Sequence, residues 1–357
     1  MKAYDYDYLV VGQGIAGTAL AWHLIEAGQR VLVIGDSSRP SASRVAAGIY
    51  NPLTGRKLVK TWLADELFPY AIRFYKRLEE KLGAKLVYPQ NIYRPYRSPE
   101  ERDNYLAYVS DGEILKYIVE DTDNQINIAG LNAPYGGLTV QGSGWVDLNE
   151  VVEKSRAFFI ENSQYAESNF EANDLLIKKR SVLWKDINAG KILFCQGFDA
   201  RENSLFDWLP FNPVKGQILD VTFDDYCADT IVNQGIFILP SIVENEYRVG
   251  ATYSWHDLDW ESTQDGRAYL ENKLQPLVSG NYRVQRQRAG IRPSCKDRRP
   301  LVGIHPEHKA VGIFNGLGTK GVTLAPYFAN EFANFLCQGK EMKPEANIAR
   351  YFSLYYH

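Results

Sequence analysis

The chain has few of the residues that build metal sites and disulfide frameworks. Its 357 residues include four cysteines, which are far apart and form no C-x-x-C pair, and five histidines without the spacing of metal ligands. We therefore predict no metal site, and free thiols in a reducing compartment. The run QGSGW at residues 141–145 is not the G-x-S-x-G pattern of a nucleophile elbow, so a serine hydrolase is not expected.

Long apolar runs and a strong excess of one charge are also absent. No apolar run approaches the roughly 20 residues that a membrane helix needs, and Asp5 and Asp7 stand where a signal peptide has basic residues. The net charge of −3 gives no sign of the basic face that binds nucleic acid. We expect a cytoplasmic protein without a membrane or nucleic-acid partner, and the sequence leaves the oligomeric state open.

The clearest feature of the sequence is a glycine motif near the start of the chain. The stretch VVGQGIAG at residues 10–17 has the G-x-G-x-x-G spacing. The apolar run at residues 8–11 predicts a buried strand before it, and residues 15–28 predict a helix after it that ends at Gly28. A second buried strand is predicted at residues 31–34. Strand, glycine turn, helix and strand within about 30 residues indicate a dinucleotide-binding unit.

Each glycine of the motif has a physical role in this interpretation. Gly12 allows the tight turn, Gly14 lets a pyrophosphate approach the backbone, and Gly17 lets the helix pack on the sheet. The acid that binds the ribose is expected at the end of the second strand, where Gly35 stands, and Asp36 follows one residue late. Asp36 either reaches the ribose through a shifted turn or is an ordinary turn residue. FAD and NAD(P) sites share this motif.

The remaining pattern predicts an α/β protein with two domains. Residues 64–83 form an amphipathic helix, Asp147 and Glu150 have the spacing of a capping box, and a last helix covers about 323–338. Residues 191–197 predict another buried strand, and alternating runs at residues 213–255 predict antiparallel strands. The first domain, Rossmann-like with a parallel sheet and helices, is assigned to residues 1–85, 145–212 and 286–357. The second, an α+β substrate domain with a mainly antiparallel sheet, is assigned to residues 86–144 and 213–285.

Seven stretches of the chain resemble a known family and occur in the family's order. The chain is similar to the FAD-dependent D-amino-acid-oxidase-like superfamily, and most similar to its glycine oxidase and sarcosine oxidase branch. The likeness covers nearly the whole chain and is weakest at residues 85–145. The stretches are SRVAAGIYNP, GWVDLNEV, FCQGFDA, PVKGQIL, YRVGAT, AGIRP and NGLGTKGVTLAP.

The resemblance implies that the dinucleotide is FAD. Some relatives hold the flavin through a cysteine, but Gly290 stands at that position and Cys295 lies only nearby, so we expect non-covalent FAD. A helix N-terminus after the last glycine-rich segment suits the negative charge of a reduced flavin. The implied cofactor-binding residues are Gly12, Gly14, Ile15, Ala16, Gly17, Asp36, Ser43, Arg44, Ala47, Gly48, Gly197, Gly316, Gly318, Thr319, Lys320, Gly321 and Val322.

The resemblance also implies a substrate site. Arg292 matches the arginine that holds the substrate carboxylate, for which a guanidinium is suited because it binds a carboxylate with two hydrogen bonds. The alternative is a structural arginine that contacts carbonyls or pairs with Asp297. Phe237 stands where related enzymes have a carboxylate-binding tyrosine. Ile49, beside the flavin ring, and Tyr253 are further candidates for the walls of the substrate pocket.

The implied reaction is hydride transfer from the α-carbon of a small amino acid or N-alkyl amino acid to flavin N5. The imine then hydrolyses, the reduced flavin is reoxidised by oxygen or another acceptor, and no side chain is assigned as a catalytic base. Three alternatives stay open: a tRNA wobble-uridine-modifying amine oxidoreductase, an FAD-dependent 2-hydroxy-acid dehydrogenase, and a non-catalytic flavin-binding protein. Arg56, Lys57 and Lys60 follow the flavin loop and favour a larger or more acidic substrate if they face the pocket. Otherwise they form a solvated basic turn.

Overall fold

A computed structural model describes residues 4–109, 112–119 and 127–356 of the chain. The strands within these ranges are β1 (Tyr6–Val11), β2 (Val31–Gly35), β3 (Ile49–Tyr50), β4 (Leu53–Thr54), β5 (Val59–Lys60), β6 (Val87–Pro89), β7 (Ile92–Pro95), β8 (Gly137–Val140), β9 (Gly144–Val146), β10 (Tyr165–Glu167), β11 (Leu175–Ile177), β12 (Val182–Trp184), β13 (Ile187–Phe194), β14 (Val214–Phe223), β15 (Ile231–Asn233), β16 (Phe237–Pro240), β17 (Glu246–Gly250), β18 (Tyr282–Arg292), β19 (Leu301–Ile304) and β20 (Val311–Asn315). The α-helices are α1 (Ile15–Glu26), α2 (Ala42–Val45), α3 (Ala64–Leu82), α4 (Pro99–Val109), α5 (Gly112–Leu115), α6 (Leu148–Glu161), α7 (Gln264–Leu274), α8 (Gly321–Gln338) and α9 (Phe352–Tyr355).

The larger sheet has a parallel centre. Its strand order is β10-β2-β1-β13-β12-β11, and β20 pairs with β13 beyond residue 191 and with β19 on its other side. The strands β10, β2, β1, β13 and β20 run parallel, whereas β11, β12 and β19 are antiparallel additions. Because helices cover the sheet, β1 and β2 are apolar along most of their length rather than alternating. The predicted strand, glycine turn, helix and strand are confirmed.

Local signals in the sequence explain where the main helices begin and end. The chain leaves α1 through Gly28 and α3 through Gly83, both of which have the left-handed φ that glycine tolerates. Asp147 Oδ1 accepts a hydrogen bond of 3.1 Å from the amide of Glu150, which caps α6 as predicted. On its buried face α1 carries Trp22, whose Nε1 donates to Ser155 Oγ on α6 at 2.9 Å.

The second sheet is mainly antiparallel. Its order is β18-β14-β17-β16-β15-β7-β8, and only the β15–β7 pair among these described strands is parallel. The helix α7 packs on it through Leu270 and Leu274, which share a core with Leu219 and Val249. This confirms an α+β unit beside the Rossmann-like one. Strand β18 runs across the predicted boundary at residue 286, and the domain boundaries stay a prediction.

Four details differ from the sequence-based expectation or add to it. The strand expected at residues 191–197 is β13, which ends at Phe194, and the last long helix begins at Gly321 rather than Thr323. The four cysteines are free, and Cys227 is exposed while Cys195 and Cys295 are buried. In the three described ranges, the helices are too short or too polar to cross a bilayer.

Candidate active site

Residues of both sheets line one cavity of about 490 Å³. It is lined by the carboxyl ends of β1 and β2 from the larger sheet and by residues of β14, β16 and β18 from the second sheet. The predicted site residues on its wall are Gly12, Gly14, Ile15, Ala16, Asp36, Ser43, Arg44, Ala47, Gly48, Ile49, Gly197, Phe237, Tyr253, Arg292, Gly318, Thr319, Gly321 and Val322. The predicted residues Gly17, Gly316 and Lys320 do not line it.

The glycine turn after β1 is a tightly packed element at one end of the cavity. Gly12 has φ +100°, and a Cβ there would lie 2.5 Å from the carbonyl oxygen of Cys195 on the neighbouring segment. A Cβ on Gly17 would collide with the carbonyl oxygen of Gly12. Gly17 therefore allows α1 to lie against the turn and has no place on the cavity wall. The two glycines fix the first turn of α1 at the edge of the cavity.

The N-terminus of α1 faces this end of the cavity without a side-chain cap. Gly14 is its N-cap residue and supplies only backbone. The amide of Ile15 donates to Ser43 Oγ at 2.9 Å, and Arg44 is held by the carbonyl of Ser37 at 2.7 Å. Backbone N–H groups and the positive end of a helix dipole, with a serine and an arginine beside them, make an environment for phosphate groups.

There is a steric reason why β2 ends in Gly35 and the acid, Asp36, follows one residue later. A Cβ on Gly35 would lie 2.7 Å from the hydroxyl of Tyr165, so the last residue of β2 has no room for a carboxylate side chain. Asp36 follows on the cavity wall, and its Oδ1 accepts hydrogen bonds from the amide (3.0 Å) and hydroxyl (2.6 Å) of Ser38. These two bonds lower the pKa of Asp36. The carboxylate therefore shapes the turn, and its contact with a ribose stays a prediction.

Sequence reasoning missed several residues at this end. Arg39 and Asp199 line the cavity and form an ion pair of 2.9 Å, and Tyr165 lines it from β10. Arg39 lies just after β2, whereas Tyr165 and Asp199 come from segments more than 120 residues from the glycine motif, and nothing in their local sequence marks them. The parallel pairing of β10 with β2 and of β13 with β1 brings them to the cavity.

The middle of the cavity is formed where the chain packs closely on β9. Gly48 has φ +68°, and a Cβ there would collide with the carbonyl oxygen of Val146. Ile49 pairs with Trp145 in the small sheet β3-β9-β6. The predicted flavin loop is thus held as a wall by backbone contact, which only glycine at position 48 permits.

The segment before α8 forms the opposite wall. Gly318, Thr319, Gly321 and Val322 line the cavity, and α8 begins at Gly321 without a side-chain cap. A second helix N-terminus therefore faces the same cavity. Its backbone donors and dipole suit the negative charge that a reduced flavin carries near N1 and the C2 carbonyl.

Two predicted residues of this segment point elsewhere. Gly316 has φ +74°, and a Cβ there would lie 2.9 Å from Leu301, so it serves the packing of β20 on β19. Lys320 Nζ donates to Thr61 Oγ1 at 3.0 Å and does not reach the cavity wall. Burial, together with Arg299 and Arg298, lowers the pKa of Lys320 to about 8.

Arg292 ends β18 at the far side of the cavity. Its Nη1 donates to the carbonyl of Thr252 at 3.3 Å, and its guanidinium carbon lies 5.4 Å from the centre of the Tyr253 ring. Gly216 on the paired strand leaves the space that the guanidinium occupies, because a Cβ at position 216 would collide with it. Burial lowers the pKa of Arg292.

Arg292 has no acid to pair with in the described part of the chain. The alternative partner, Asp297, accepts from Arg350 Nε at 3.0 Å instead. Pairing between Arg292 and Asp297 is therefore excluded, while its bond to the Thr252 carbonyl agrees with a carbonyl contact. A partly buried cation on a cavity wall, without a neighbouring carboxylate, is a site for an anion.

The walls around Arg292 are mainly apolar and aromatic. Phe237 is half-buried and packs against Gly250, where a Cβ would lie 2.8 Å from the ring. Tyr253 is 48% exposed and contacts Trp255 edge to face at 4.9 Å. Sequence reasoning missed Ile218, which lies against Gly250 beside the Phe237 ring, and Trp260, which contacts Phe198 edge to face at 6.1 Å. They come from a buried strand and a polar loop whose local sequences are those of ordinary packing residues.

The residues of the cavity fit FAD. A glycine turn with a free helix N-terminus at one end suits the pyrophosphate, and a second helix N-terminus with the close Gly48 loop suits a flat ring that gains negative charge. The non-covalent attachment stays a prediction. Cys295 lies outside the cavity wall, and its Sγ donates to the carbonyl of Arg299.

Comparison with known proteins gives the same assignment. A sequence model described as FAD dependent oxidoreductase matches residues 7–335. The chain is 22% identical over 356 residues to the tRNA 5-methylaminomethyl-2-thiouridine biosynthesis bifunctional protein of Marinobacter nauticus, in a match covering 92% of this chain and 55% of that protein. It is 24% identical over 361 residues to glycine oxidase of Bacillus subtilis, with 90% of each chain covered. The chain thus spans about half the length of the Marinobacter relative.

Solved structures share the fold. Glycine oxidase from Geobacillus kaustophilus superposes with a TM-score of 0.77 at 19% identity, covering 95% of this chain and 96% of that chain. Iminodiacetate oxidase from Chelativorans superposes with a TM-score of 0.74 at 20% identity, covering 96% and 98%. The Rossmann-like domain with a second, mainly antiparallel domain is confirmed.

The family match runs from β1 into α8 and therefore includes every described residue on the cavity wall. The relatives in this family, glycine oxidase among them, are enzymes. The chain belongs to the D-amino-acid-oxidase-like family of FAD-dependent oxidoreductases, near its glycine oxidase branch, and FAD is its cofactor.

Proposed function

We propose that this FAD-dependent oxidoreductase oxidises the α-carbon of a small amino acid or N-alkyl amino acid. The observation that carries the proposal is Arg292, a guanidinium on the cavity wall that pairs with no carboxylate of the described residues. A substrate carboxylate would supply that partner. It would accept two hydrogen bonds from the guanidinium and so fix the position of the α-carbon.

The protein's contribution to the reaction is mainly positioning. When bound, FAD supplies the hydride acceptor. Arg292 would hold the carboxylate, while Phe237 and Ile49 would confine the α-carbon and keep water away from it. Among the described residues on the cavity wall there is no histidine, and the carboxylates Asp36 and Asp199 belong to the end near the glycine turn. These observations support a mechanism without a side-chain base, in which the imine product leaves and hydrolyses in water.

Phe237 bears on which amine is oxidised. It has no hydroxyl, so a carboxylate would lose the hydrogen bond that related enzymes obtain from a tyrosine at this place. Glycine, which has no side chain or N-substituent, would therefore bind weakly, because Arg292 alone would hold it. A substrate with an N-alkyl group gains contact with the apolar wall at Phe237, and this favours N-alkyl amino acids over glycine.

Oxidation of a modified wobble uridine is the second candidate. The Marinobacter relative that matches 92% of this chain is named for tRNA modification, and this similarity supports the candidate. The chain covers only 55% of that relative, so the relative's overall role does not transfer directly. Hydroxy acids stay a third class, because an α-hydroxyl presents the same hydride. The cytoplasmic location also stays a prediction.

An anaerobic titration tests the proposal. The FAD-loaded protein is mixed with N-methylglycine, glycine, D-amino acids, 2-hydroxy acids and modified tRNA, and flavin absorbance at about 450 nm is followed. Bleaching by amino acids, strongest with N-alkyl forms, is the expected result. Bleaching by hydroxy acids or tRNA alone would assign the alternative substrate class. No bleaching by any compound would contradict the proposed reaction.

The role of Arg292 is tested separately by Arg292→Leu. We expect KM for the amino acid to rise roughly 10- to 100-fold, because the charged hydrogen bonds to the carboxylate are lost. Arg283→Leu is the matched control, since Arg283 is an exposed arginine near the other end of β18. An unchanged KM in Arg292→Leu would show that Arg292 does not bind the substrate carboxylate.

A further inference from the structure

A second cleft, here called the basic cleft, adjoins the cavity. It has a volume of about 700 Å³. Asn233, the last residue of β15, and Gly235, in the turn to β16, belong to the walls of both spaces. The residues that line the basic cleft are Gly55, Arg56, Arg94, Arg97, Asn233, Gln234, Gly235, Tyr269, Asn272, Lys273 and Pro276.

The charge of the basic cleft is of one sign. Four of its lining residues are Arg or Lys and none is Asp or Glu. In the described ranges, no carboxylate lies within ion-pair distance of Arg56, Arg94 or Lys273, whereas Arg97 forms an ion pair of 3.9 Å with Glu101. Cations that converge on a concave surface without acids attract and bind anions.

Arg94 is the most unusual of these cations, because it is only 7% exposed. Its donors reach the carbonyls of Leu53 (3.3 Å) and Gly55 (2.8 Å) and the hydroxyl of Tyr105 (3.2 Å). Its Nε is buried without a hydrogen-bond partner in the structure. A buried guanidinium whose contacts are all neutral leaves its charge uncompensated, and a bound anion would compensate it.

Two loops hold the cations at the cleft. The bonds from Arg94 to Leu53 and Gly55 fix the turn between β4 and β5, which carries Arg56. The guanidinium of Arg97 lies against Gly235, where a Cβ would be 2.9 Å from Nη2. Lys273 comes from the last turn of α7. Lys57, the next residue of the same turn as Arg56, does not line the basic cleft.

We propose that the basic cleft binds a second anionic group of the substrate, a carboxylate or a phosphate, while Arg292 holds the first carboxylate. This inference rests on the proposed function and names its substrate class, an amino acid whose N-substituent or side chain ends in an anion. Phe237 follows Gly235 by two residues and gives the cavity an apolar wall next to the cleft. An apolar wall between two cationic sites suits a linker of methylene groups.

A small dianion fits these observations better than a nucleic acid. The cations converge on one cleft beside the cavity, whereas a nucleic acid needs a track of charges along its backbone. The net charge of the chain is −3. The source of the second anion, carboxylate or phosphate, is left for the experiment to distinguish.

A substrate series tests the inference on the FAD-loaded protein. N-(ω-carboxyalkyl)glycines with two to five methylene groups, their ω-phosphono counterparts and their neutral ω-carboxamides are compared by kcat/KM. We expect an anionic compound of the best length to exceed its carboxamide roughly tenfold, as charged hydrogen bonds are worth about that much. A ratio near one at every length would overturn the inference. Oxidation of the carboxamides would show that the proposed function survives that failure.

Variants locate the effect. In Arg56→Gln and Lys273→Gln the anion-to-amide ratio should fall roughly five- to tenfold. The ratio should stay unchanged in Lys57→Gln, the neighbouring exposed lysine, and in Lys340→Gln, an exposed lysine after α8. An equal fall in all four variants would indicate long-range charge and overturn the assignment to the basic cleft.

A binding measurement is independent of turnover. Linear α,ω-dicarboxylates, which have no amine to oxidise, and monocarboxylates of equal length are titrated while the flavin absorbance spectrum is recorded. We expect dicarboxylates of the best length to bind roughly tenfold more tightly, with the preference lost in Arg56→Gln. Equal affinities would overturn the inference even if amines are oxidised. Tight binding of unmodified tRNA, blocked by Arg56→Gln, together with equal dicarboxylate and monocarboxylate affinities would replace it with a nucleic-acid site.

Discussion

At the scale of single residues, three glycines shape this site because neighbouring segments leave no room for a Cβ. A Cβ at Gly12, Gly35 or Gly48 would lie closer to a neighbouring segment than van der Waals contact allows. The groups it would meet are the Cys195 carbonyl, the Tyr165 hydroxyl and the Val146 carbonyl, respectively. The tight turn at Gly12 was predicted from the glycine motif, but its contact with Cys195 was not. The other two depend on partners from β9 and β10, which no pattern around residues 35 or 48 indicates.

The Gly12 contact gives a stability prediction. In Gly12→Ala the new methyl group meets the Cys195 carbonyl at 2.5 Å in a backbone with φ +100°. We expect the free energy of unfolding to fall by roughly 2–4 kcal/mol, and FAD binding to weaken, because the turn must open. Urea unfolding and flavin titration measure both. In the control Gly112→Ala, where no atom lies near the added methyl group, the change should stay within about 0.5 kcal/mol.

At the scale of elements, the packing of α1 on α8 joins the glycine turn to the second helix of the site. His23 on α1 is buried, and its Nε2 lies 3.1 Å from the carbonyl oxygen of Pro326 in α8, so the neutral ring donates from Nε2. Burial, and then the charge of Arg77, lower the pKa of His23 to about 4. Glu26 lies near Nδ1 at 4.0 Å and pairs with Arg77.

This histidine predicts a pH dependence of stability. The unfolded chain takes up a proton near pH 6.5 whereas folded His23 does so near pH 4, so its contribution is present above pH 6.5 and is lost as the pH falls towards 4. The loss approaches roughly 3 kcal/mol. His23→Gln keeps a donor for Pro326 without titrating. We expect its free energy of unfolding to fall less than that of the wild type between pH 7 and 4, and parallel curves would contradict the assignment.

The boundaries of the helices and strands show how much of the secondary structure the local sequence predicts. The boundaries of α1, α3 and α6 follow glycine and aspartate signals that act within one helical turn, and these were predicted closely. The strand at residues 187–194 begins four residues before its predicted start because β12 and β13 pair with each other at polar positions such as Asn188. That pairing depends on the partner strand and leaves no apolar pattern in the sequence.

At the scale of the whole molecule, the cavity is made of parts that are distant in the chain. Its wall combines residues from the ranges 11–49, 148–170, 195–199, 216–260 and 290–322, and both sheets contribute. A cofactor that contacts both sheets stabilises their arrangement, because it binds the folded chain and not the unfolded one. FAD is therefore expected to act as a structural element as well as a reactant.

This arrangement gives a test of non-covalent attachment. Unfolding the holoprotein in acid should release all flavin into the supernatant, since Gly290 offers no thiol and Cys295 lies outside the cavity wall. FAD added at about 100 times its Kd should raise the free energy of unfolding by about 2.7 kcal/mol. A yellow acid precipitate would show covalent flavin. A denaturation midpoint that does not change with added FAD would show that the cofactor does not stabilise the arrangement of the two sheets.

The amino-acid sequence by itself determined the dinucleotide unit, the helix ends, the family and the candidate Arg292. The dinucleotide unit and the helix ends depend on residues close together in the chain, which interact locally. The family and Arg292 follow from the order of the seven stretches along the chain. Only the tertiary structure decided that Asp297 pairs with Arg350, that Lys320 turns towards Thr61, and that Arg56 shares a cleft with Arg94, Arg97 and Lys273. Charges separated by tens or hundreds of residues interact only after strand pairing has brought them together, and strand pairing is set by the packing of the whole chain.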